Sequence, residues 1–400
     1  MIKKLKKLIP LLLTTTMVIF PLTVRAEEKQ LEKNQTINFQ NKYTLEEQKL
    51  LRAINPQLTS IPEVLELKEN GYLDELIEEL DSVYTSEYNK EVKDKLTVLA
   101  SWDLTPEMTI SQLKEYAQNY LDKNYDGILI DSVEFKELVS EMFYGDSYPL
   151  SKMAKENPDF GAVYLYMCIY YDENYDEASG TLSKNSKITN SGETLKQIIT
   201  DDFNKNFRET TSMVVLHEVE EQYLEQRAPK NPLDGDKIQE YARRYGNSYN
   251  TANYVTQSSD CTNFASQALF YGLLPKTFYS SDKTANGYVD TTSRWFYFNN
   301  TSSSKYSAST SWVRVVDLYS YLSPNYAVFE TSSGSQMTPY VNKGFILQGK
   351  HFIGSYSHTI IATKGKDGSI LYCGHSNFRK DEPIQTFYDA YSKYRVIQVY

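Results

Sequence analysis

Residues 258–272 read SSDCTNFASQALFYG, and they predict a short helix that carries a cysteine at its start. Ser259 and Asp260 are residue types that favour the N-cap position, and Gly272 favours the helix end. Cys261 then lies in the first turn, where unpaired backbone N–H groups and the helix dipole stabilise a thiolate. A thiolate is the form of cysteine that attacks carbonyl carbon. The alternative interpretation is an ordinary buried cysteine on an amphipathic helix.

One face of this helix has only small side chains beyond the cysteine. Its members follow Cys261 at spacings of four, seven and eleven residues: Ala265, Ala268 and Gly272. Small side chains allow a helix to approach a sheet closely. We expect this face to pack against the sheet that carries the partners of the cysteine.

A thiol nucleophile needs a base, and four histidines are available. His217 belongs to the N-terminal half of the chain, and His351 has no evident partner in the sequence. His358 lies in an alternating stretch, residues 357–363, which turn residues join to a second strand at 369–375. This pattern predicts a β-hairpin with His358 near the start of its first strand.

The hairpin register depends on its turn, and two turns are compatible with the sequence. A two-residue loop at 367–368 places His358 opposite Asn377, whereas a four-residue loop at 365–368 places it opposite His375. In both registers the three side chains project from one face of the hairpin. Either His375 or Asn377 is therefore expected to orient the His358 ring, and the hairpin favours the catalytic interpretation of the cysteine.

The chain has three cysteines, which are too few for a disulfide framework and odd in number: Cys168, Cys261 and Cys373. Cys168 lies in an apolar and aromatic run, residues 162–171. That run predicts a buried strand or a buried helix, so a structural role is expected for Cys168.

The first 26 residues have the features of a secretory signal peptide: lysines at the start, an apolar run, and Ala26 at the end. We expect an exported, extracellular protein with no stable membrane span after cleavage. Residues 1–26 carry five basic and no acidic side chains, so their removal makes the net charge of −10 more negative. Nucleic acid is not an expected partner, because phosphate binding needs clustered Lys and Arg.

The remaining length and a change in composition predict two domains and the α+β class. Residues 27–227 form a mainly helical or mixed domain of unassigned role. Residues 228–236 form a linker rich in helix breakers, and residues 237–400 carry short β-branched runs. The sequence does not indicate an oligomeric state.

Three side chains have the spacing of the first ligands in a calcium-binding loop: Asp122, Asn124 and Asp126. The twelfth position of such a loop is Val133 here, where a bidentate Glu is needed. Capping of the next helix by Asp131 and Glu134 explains the same residues. The sequence therefore predicts neither a metal nor a cofactor.

The segment around the cysteine resembles a known family. Residues 260–269, with YARRY at 241–245, SHTII at 357–361 and HSN at 375–377, resemble the "putative amidase domain" of exported proteins of Gram-positive bacteria. That family is similar to papain-like cell-wall peptidases and CHAP amidases, and the resemblance covers about 236–400. It implies a papain-like layout, in which the cysteine helix packs on an antiparallel sheet that carries the histidines.

The resemblance also implies a role for each residue. Cys261 is the nucleophile, His358 the general base and acid, and His375 the residue that orients His358, with Asn377 in reserve. The backbone N–H of Cys261 helps to hold the oxyanion. The chain departs from the family at 343–344, Lys-Gly, where the family has a Gly-Asp pair. This departure affects the local loop and not the predicted triad.

The resulting expectation is a cysteine amidase or peptidase that hydrolyses amide bonds in peptidoglycan stem peptides or crosslinks and associates with the cell wall. Its acidic charge gives no attraction to an anionic wall. Two alternatives stay open. One is a secreted cysteine protease that acts on proteins, and the other is a catalytically silent surface or binding protein with a papain-like fold.

The Ser-, Thr- and Tyr-rich segment from Thr277 to Ser311 has two interpretations of equal weight. With Arg294, Trp295 and the adjacent Trp312, it either walls the substrate groove and supplies stacking surface, or is a loop with ordinary core aromatics.

Overall fold

The structure, a computed structural model, describes residues 72–176, 181–182, 188, 192–206, 232–257, 259–300 and 305–400. The predicted signal peptide, His217 and the first part of the predicted linker, residues 228–231, lie outside these residues. The chain divides into two compact units, one of residues 1–96 and 203–223 and one of residues 97–202 and 224–400. No described helix is long and apolar enough to cross a membrane.

The described part of the smaller unit is held by aromatic packing. Phe203 packs edge-on against Tyr84 and Tyr88, with ring centroids 5.5 and 5.4 Å away. The hydroxyl of Tyr84 donates a hydrogen bond to Asn204 Oδ1 at 2.6 Å. Edge-to-face aromatic pairs of this kind stabilise the fold beyond the contribution from burial of the rings.

The described helices before residue 175 are α1 (Tyr72–Ser101), α2 (Ile110–Asn124), α3 (Val133–Phe143), α4 (Leu150–Glu156) and α5 (Pro158–Asn174). The short strands β1 (Tyr175–Asp176) and β2 (Thr181–Leu182) pair after them, and residues 195–206 are again helical. Thr109 and Gln112 form a capping box at the start of α2.

Helix α5 is buried on every side over residues 160–170, because its residues there are almost all apolar or aromatic. Asn157 Oδ1 accepts a hydrogen bond from the Phe160 backbone N–H at 3.3 Å, and Pro158 occupies the first helical turn. Cys168 lies in the middle of α5 and is 1 % exposed. Of the two elements predicted for this run, the helix is the one that forms.

Buried polar contacts join α5 and the segment after it to the C-terminal region. The hydroxyl of Tyr164 accepts a hydrogen bond from the Phe352 backbone N–H at 3.2 Å. Asp202 accepts one from the Gly354 N–H at 2.9 Å, and its Oδ2 pairs with Lys350 Nζ at 3.4 Å. These groups are almost completely buried, so each needs its partner. Residues 97–202 therefore complete the core of the larger unit.

The C-terminal region combines helices with antiparallel strands, which confirms the predicted α+β class. Its larger sheet contains β6 (Ala327–Thr331), β7 (Ile346–Lys350), β8 (Tyr356–Lys364), β9 (Ile370–Gly374), β10 (Arg379–Pro383) and β11 (Lys393–Gln398). The strand order is β10-β9-β8-β7-β11-β6, and every neighbouring pair is antiparallel.

The other described elements of this region surround that sheet. They are α6 (Gly235–Tyr245), α7 (Cys261–Tyr271), β3 (Gly287–Val289), β4 (Tyr297–Asn300), β5 (Lys305–Ser309), α8 (Thr310–Val313), α9 (Val315–Leu322), α10 (Gly334–Met337) and α11 (Ile384–Ala390), with short 3₁₀ turns at Ser280–Thr284 and Thr338–Tyr340. At the end of the predicted linker, the Leu233 N–H donates to the Val399 carbonyl at 2.9 Å. Asp234 caps α6, because its Oδ1 accepts from the Lys237 N–H at 3.0 Å.

Helix α7 begins at Cys261 and ends before Gly272, as predicted. It contacts β8 and β9 on one side and α6 on another. Ala265 and Ala268 are completely buried. Gly272 instead lies against α6, since a Cβ added there would come within 2.2 Å of Ile238 Cγ1. The expectation that Gly272 faces the sheet is therefore wrong, and this glycine allows two helices to approach each other.

The β8–β9 hairpin forms, but its register lies between the two that were predicted. Lys364 pairs with Ile370. The Gly365 N–H donates to the Ser369 carbonyl at 2.8 Å, so the turn consists of three residues. Gly368 closes it with φ +86°, a left-handed conformation that glycine adopts without strain. Three-residue hairpin loops with a left-handed last residue are common. Both predicted registers are wrong by one residue.

This one-residue change removes the basis for placing the polar residues on one face. Strand β9 ends at Gly374, and the backbone beyond it is irregular, with left-handed φ values of 88° at Ser376 and 49° at Phe378. His375 and Asn377 therefore lie in a loop rather than on a strand. Their side-chain directions follow from that loop and not from strand alternation.

The described residues of the 277–311 segment form an ordered three-stranded sheet, with strand order β3-β5-β4. Trp295 and the adjacent Trp312 are completely buried. Their indole N–H groups donate to Ser266 Oγ at 3.2 Å and to Asn263 Oδ1 at 2.8 Å, both on α7. The tryptophans are thus core residues that brace the cysteine helix, and they offer no stacking surface for a substrate.

Candidate active site

Cys261 is the first residue of α7, and its side chain is almost completely buried, with 3 % exposed. Its thiol lies 3.7 Å from Thr262 Oγ1, and it packs with Val315 and Tyr356. The backbone N–H groups of the first helical turn have no partner within the helix. The thiol therefore lies beside backbone donors and the positive end of the helix dipole.

His358 lies near the start of β8, where it pairs with Gly349 of β7. It is 3 % exposed, and its ring lies parallel to that of Tyr391, with centroids 6.0 Å apart and an interplanar angle of 13°. The ring and the Cys261 thiol lie close enough for each to shift the pKa of the other. The predicted nucleophile and the predicted base are thus brought together by the start of α7 and the start of β8.

The two groups shift each other toward the charged state. Burial raises the pKa of the Cys261 thiol, but the interactions with His358 more than offset it, so this pKa lies below its ordinary value. Burial likewise lowers the pKa of His358, and the interactions with Cys261 reverse that effect, so the His358 pKa is raised. The arrangement favours a thiolate–imidazolium pair.

The other two cysteines have the opposite character. Burial raises the pKa of the Cys168 thiol to about 12 and that of the Cys373 thiol to about 12. Neither is paired with a histidine among the described residues. Cys168 and Cys373 are therefore inert core thiols, and Cys261 differs from them because of His358.

His375 is held by groups other than His358. Its Nδ1 faces Asp260 Oδ2 at 2.5 Å, and its Nε2 faces the Tyr245 carbonyl oxygen at 2.8 Å. The ring stacks on Phe264, with centroids 3.8 Å apart. The ring nitrogens thus contact a carboxylate on one side and a backbone carbonyl on the other. His375 thereby fixes the residue that immediately precedes the cysteine.

Asp260 occupies the N-cap position of α7, but its side chain does not cap the helix. Its Oδ1 accepts from Asn263 Nδ2 at 2.7 Å, while Oδ2 faces His375. The carboxylate beside the nucleophile is thus tied to a histidine and an amide within the protein. In the structure, Asp260 therefore fixes the start of α7.

Asn377 points toward a loop from the N-terminal half of the chain. Its Nδ2 donates to the Tyr144 carbonyl at 2.8 Å and also contacts Ser147 Oγ. His358 Nε2 is buried and has no hydrogen-bond partner among the described residues. In this geometry neither His375 nor Asn377 hydrogen-bonds the His358 ring.

The loop that Asn377 contacts joins α3 to α4, and we call residues 144–147 the 144–147 loop. Gly145 has φ +64°, and a Cβ added there would lie 3.1 Å from Asn377 Nδ2 and 3.6 Å from His358 Cε1. The hydroxyl of Tyr391 donates to the Gly145 carbonyl at 2.7 Å. The left-handed φ favours glycine here, and a Cβ would crowd Asn377, whereas it would meet the His358 ring at an ordinary contact distance.

The 144–147 loop also places a buried carboxylate in the site, which the sequence analysis did not identify. Asp146 is 2 % exposed. It accepts from the Tyr372 hydroxyl and from Arg379 Nε, the latter at 3.2 Å. Its sequence context, Gly145-Asp146-Ser147, is that of an ordinary surface turn, so no local signal distinguishes it.

His351, the other described histidine near this site, has the character of a neutral ring. Burial, with a smaller contribution from the charge of His358, lowers its pKa to about 3. The Tyr164 hydroxyl lies 3.4 Å from its Nδ1, and its ring packs on Phe143 with centroids 4.5 Å apart. His351 is therefore a packed core residue rather than a base.

The segment with the spacing of a calcium loop has other partners. Asp122 Oδ1 accepts from Gln118 Nε2 at 2.8 Å, and no group of three metal-binding side chains occurs in the part of the chain that the structure describes. The capping alternative needs a correction. Ser132, not Asp131, is the N-cap of α3 and accepts from the Phe135 N–H at 3.1 Å, while Asp131 pairs with Lys114.

A cavity of about 390 Å³ lies beside α6 and α7. Its lining includes Tyr245, Tyr254 and Tyr271 with the cations Arg244 and Lys276. Burial lowers the pKa of Lys276. Neither the cysteine nor its histidine lines this cavity, so we assign the chemistry to the pair and not to the cavity.

The contact between His375 and Asp260 gives a stability prediction. Substitution His375→Ala is expected to lower the free energy of unfolding by about 1–3 kcal/mol, because it leaves a buried carboxylate oxygen of Asp260 without its hydrogen-bond partner. Denaturant unfolding measures this loss. The double variant with Asp260→Asn should recover part of it. A loss below about 0.5 kcal/mol, as is usual for surface substitutions, would contradict a buried hydrogen bond at this position.

Comparison with known protein families gives a match to the C-terminal region. Residues 233–399 match the sequence family described as "Putative amidase domain". No curated protein and no solved structure matches the chain. The predicted resemblance to an amidase family is confirmed over these residues, and the match indicates a hydrolase that acts on amide bonds. The matched region begins at Leu233, so it leaves out α1–α5 and the 144–147 loop.

Proposed function

We propose that this protein is an exported cysteine amidase or peptidase that hydrolyses amide bonds in peptidoglycan stem peptides or crosslinks. The observation that carries the proposal is the Cys261–His358 pair, in which the thiol pKa is lowered and the imidazole pKa is raised. Export rests on the signal-like residues 1–26. Amide hydrolysis rests on this pair together with the family match.

The proposed acylation step uses both members of the pair. The Cys261 thiolate attacks the amide carbonyl carbon, and the carbonyl electron pair moves to oxygen. Backbone N–H groups at the start of α7, including that of Cys261, stabilise this oxyanion. The imidazolium of His358 then donates its proton to the leaving amine. The C–N bond breaks, the amine departs, and a thioester on Cys261 remains.

Hydrolysis of the thioester reverses these proton transfers. Neutral His358 takes a proton from water as the water oxygen attacks the thioester carbon. The C–S bond then breaks, and the carboxylic acid product leaves. The cysteine departs as a thiolate beside an imidazolium, which restores the starting pair. No cofactor or metal is needed for either step.

We also propose a papain-like arrangement for the C-terminal region. In support, the cysteine begins helix α7, which contacts β8, and β8 is the strand that carries His358. In this arrangement His375 acts on the start of α7 through Asp260. Asn377 lies across Gly145 from His358 and stays the candidate for orienting its ring.

Peptidoglycan is proposed as the substrate because stem peptides and crosslinks are abundant amides outside a Gram-positive cell. The test is incubation of the full chain, without residues 1–26, with digested peptidoglycan, followed by mass spectrometry of the products. Cleaved amide bonds are expected with the native protein and with Cys373→Ala, a matched cysteine control, and not with Cys261→Ala. Identical product profiles for native protein and Cys261→Ala would contradict the proposal. Cleavage of casein alone would favour a protease.

A further inference from the structure

The region that matches the amidase family does not contain every charged group that acts on its histidine. The 144–147 loop reaches the site from the helices that precede the matched region. It is fixed there at several points. The Tyr391 hydroxyl donates to the Gly145 carbonyl at 2.7 Å, and Asn377 Nδ2 donates to the Tyr144 carbonyl at 2.8 Å. The loop is therefore held against the site by residues of the matched region.

Asp146 is the charged residue of this loop, and its carboxylate is buried. Arg379 Nε donates to Asp146 Oδ1 at 3.2 Å, and the Tyr372 hydroxyl donates to Oδ2. The two side chains of the ion pair are 26 % and 1 % exposed, so the carboxylate is far more buried than the guanidinium. A buried carboxylate that is only partly compensated acts over several ångströms, because the surrounding protein screens it weakly.

We propose that Asp146 is a positioning residue of the active site, whose negative charge, delivered by the 144–147 loop, stabilises the imidazolium form of His358. The adjacent Gly145 lies against the His358 ring, which brings the carboxylate of the next residue into this environment. The proposal rests on the proposed function only for its consequence in the reaction, and not for the charge effect itself.

The charged and titratable groups around His358 divide by sign. Cys261, from α7, and Asp146, from the loop, favour its protonated form, and Arg379, from β10, opposes it. His351, which follows β7, is neutral because burial holds its pKa at about 3. Asp146 is thus the anion near His358 that is not itself consumed during the reaction.

This difference matters most after the thioester forms. In the free enzyme the thiolate of Cys261 supports the imidazolium. In the thioester that charge is gone, yet His358 must gain a proton from the attacking water. Asp146 then supplies the stabilising negative charge for this step. The proposal therefore places the largest kinetic effect of Asp146 in hydrolysis of the thioester, which affects kcat.

The test measures the His358 ring directly. NMR titration of histidine ring resonances in the full chain, in a Cys261→Ala background, removes the thiolate and needs no substrate. Substitution Asp146→Asn is expected to lower the His358 pKa by about one unit, a tenfold change in its protonation equilibrium. Arg379→Gln is expected to raise it. Both substitutions break the same ion pair, so a purely structural disturbance would act in one direction only.

Two further variants complete the design. Asp146→Glu keeps the charge and should restore the titration, whereas Glu141→Gln removes an exposed carboxylate that pairs with Tyr148 and should leave it unchanged. If Asp146→Asn does not fold, the upward shift in Arg379→Gln decides. Shifts in the same direction for Asp146→Asn and Arg379→Gln, or no shift in either, would overturn the proposal. If the His358 pKa shifts as expected in these variants but the protein hydrolyses no amide, only the proposed function is refuted.

Discussion

Iodoacetamide at neutral pH is expected to modify Cys261 and to leave Cys168 and Cys373 unmodified in the folded protein. With a pKa of about 12, each of the latter is a thiolate in only about one molecule in 100,000 at pH 7. The thiolate of Cys261 is stabilised by His358, so its fraction is far larger. Peptide mapping by mass spectrometry after timed alkylation gives the three rates.

The alkylation rate of Cys261 is expected to change with pH in a defined direction. Their interaction lowers the pKa of the Cys261 thiol and raises the pKa of His358, so the Cys261 thiolate persists to lower pH than an ordinary thiolate does. The rate should therefore fall only as the pH drops through the lowered thiol pKa. Substitution His358→Gln removes the interaction that lowers the thiol pKa and leaves Cys261 buried. The midpoint of the pH profile should therefore move to higher pH, above that of an ordinary thiol. Equal rates for all three cysteines would contradict the pairing.

Substitution His358→Ala is expected to reduce amide hydrolysis by about 10²–10⁴-fold, because it removes the general acid and base of both steps. The rate is measured on the peptidoglycan fragments that the native protein cleaves. His351→Gln is the matched control, since this histidine is also buried nearby but is held neutral. Retention of more than about one tenth of the rate in His358→Ala would exclude general acid–base catalysis by this ring.

The parts of the site that follow from local rules were predictable. Helix α7 begins at Cys261 and ends before Gly272, as predicted, because the residue types that mark a helix start and stop lie within a few positions of its ends. The hairpin was predicted because alternation and turn residues are also local. Its register was missed because a three-residue turn ending at Gly368 was not considered, and one residue changes the face of every side chain.

The rest of the site depends on contacts between residues far apart in the sequence. Asp146 meets Arg379, and Asp260 meets His375, through tertiary packing that has no local signature. The tryptophan Trp312 could be assigned to the core only after its indole N–H was seen to meet Asn263 of α7. Periodicity and capping reveal elements, and they do not reveal which buried polar groups will pair.

The buried pair of Lys350 and Asp202 limits how this chain can be divided or exchanged with others. A chain that began at Leu233 would keep the whole family match but would lose Asp202 from beside a lysine that is 3 % exposed. It would also lose the hydrogen bond that the Phe352 N–H donates to the Tyr164 hydroxyl. Separation of the matched region from the preceding helices is therefore expected to destabilise it, because each part supplies groups that pair with buried groups of the other.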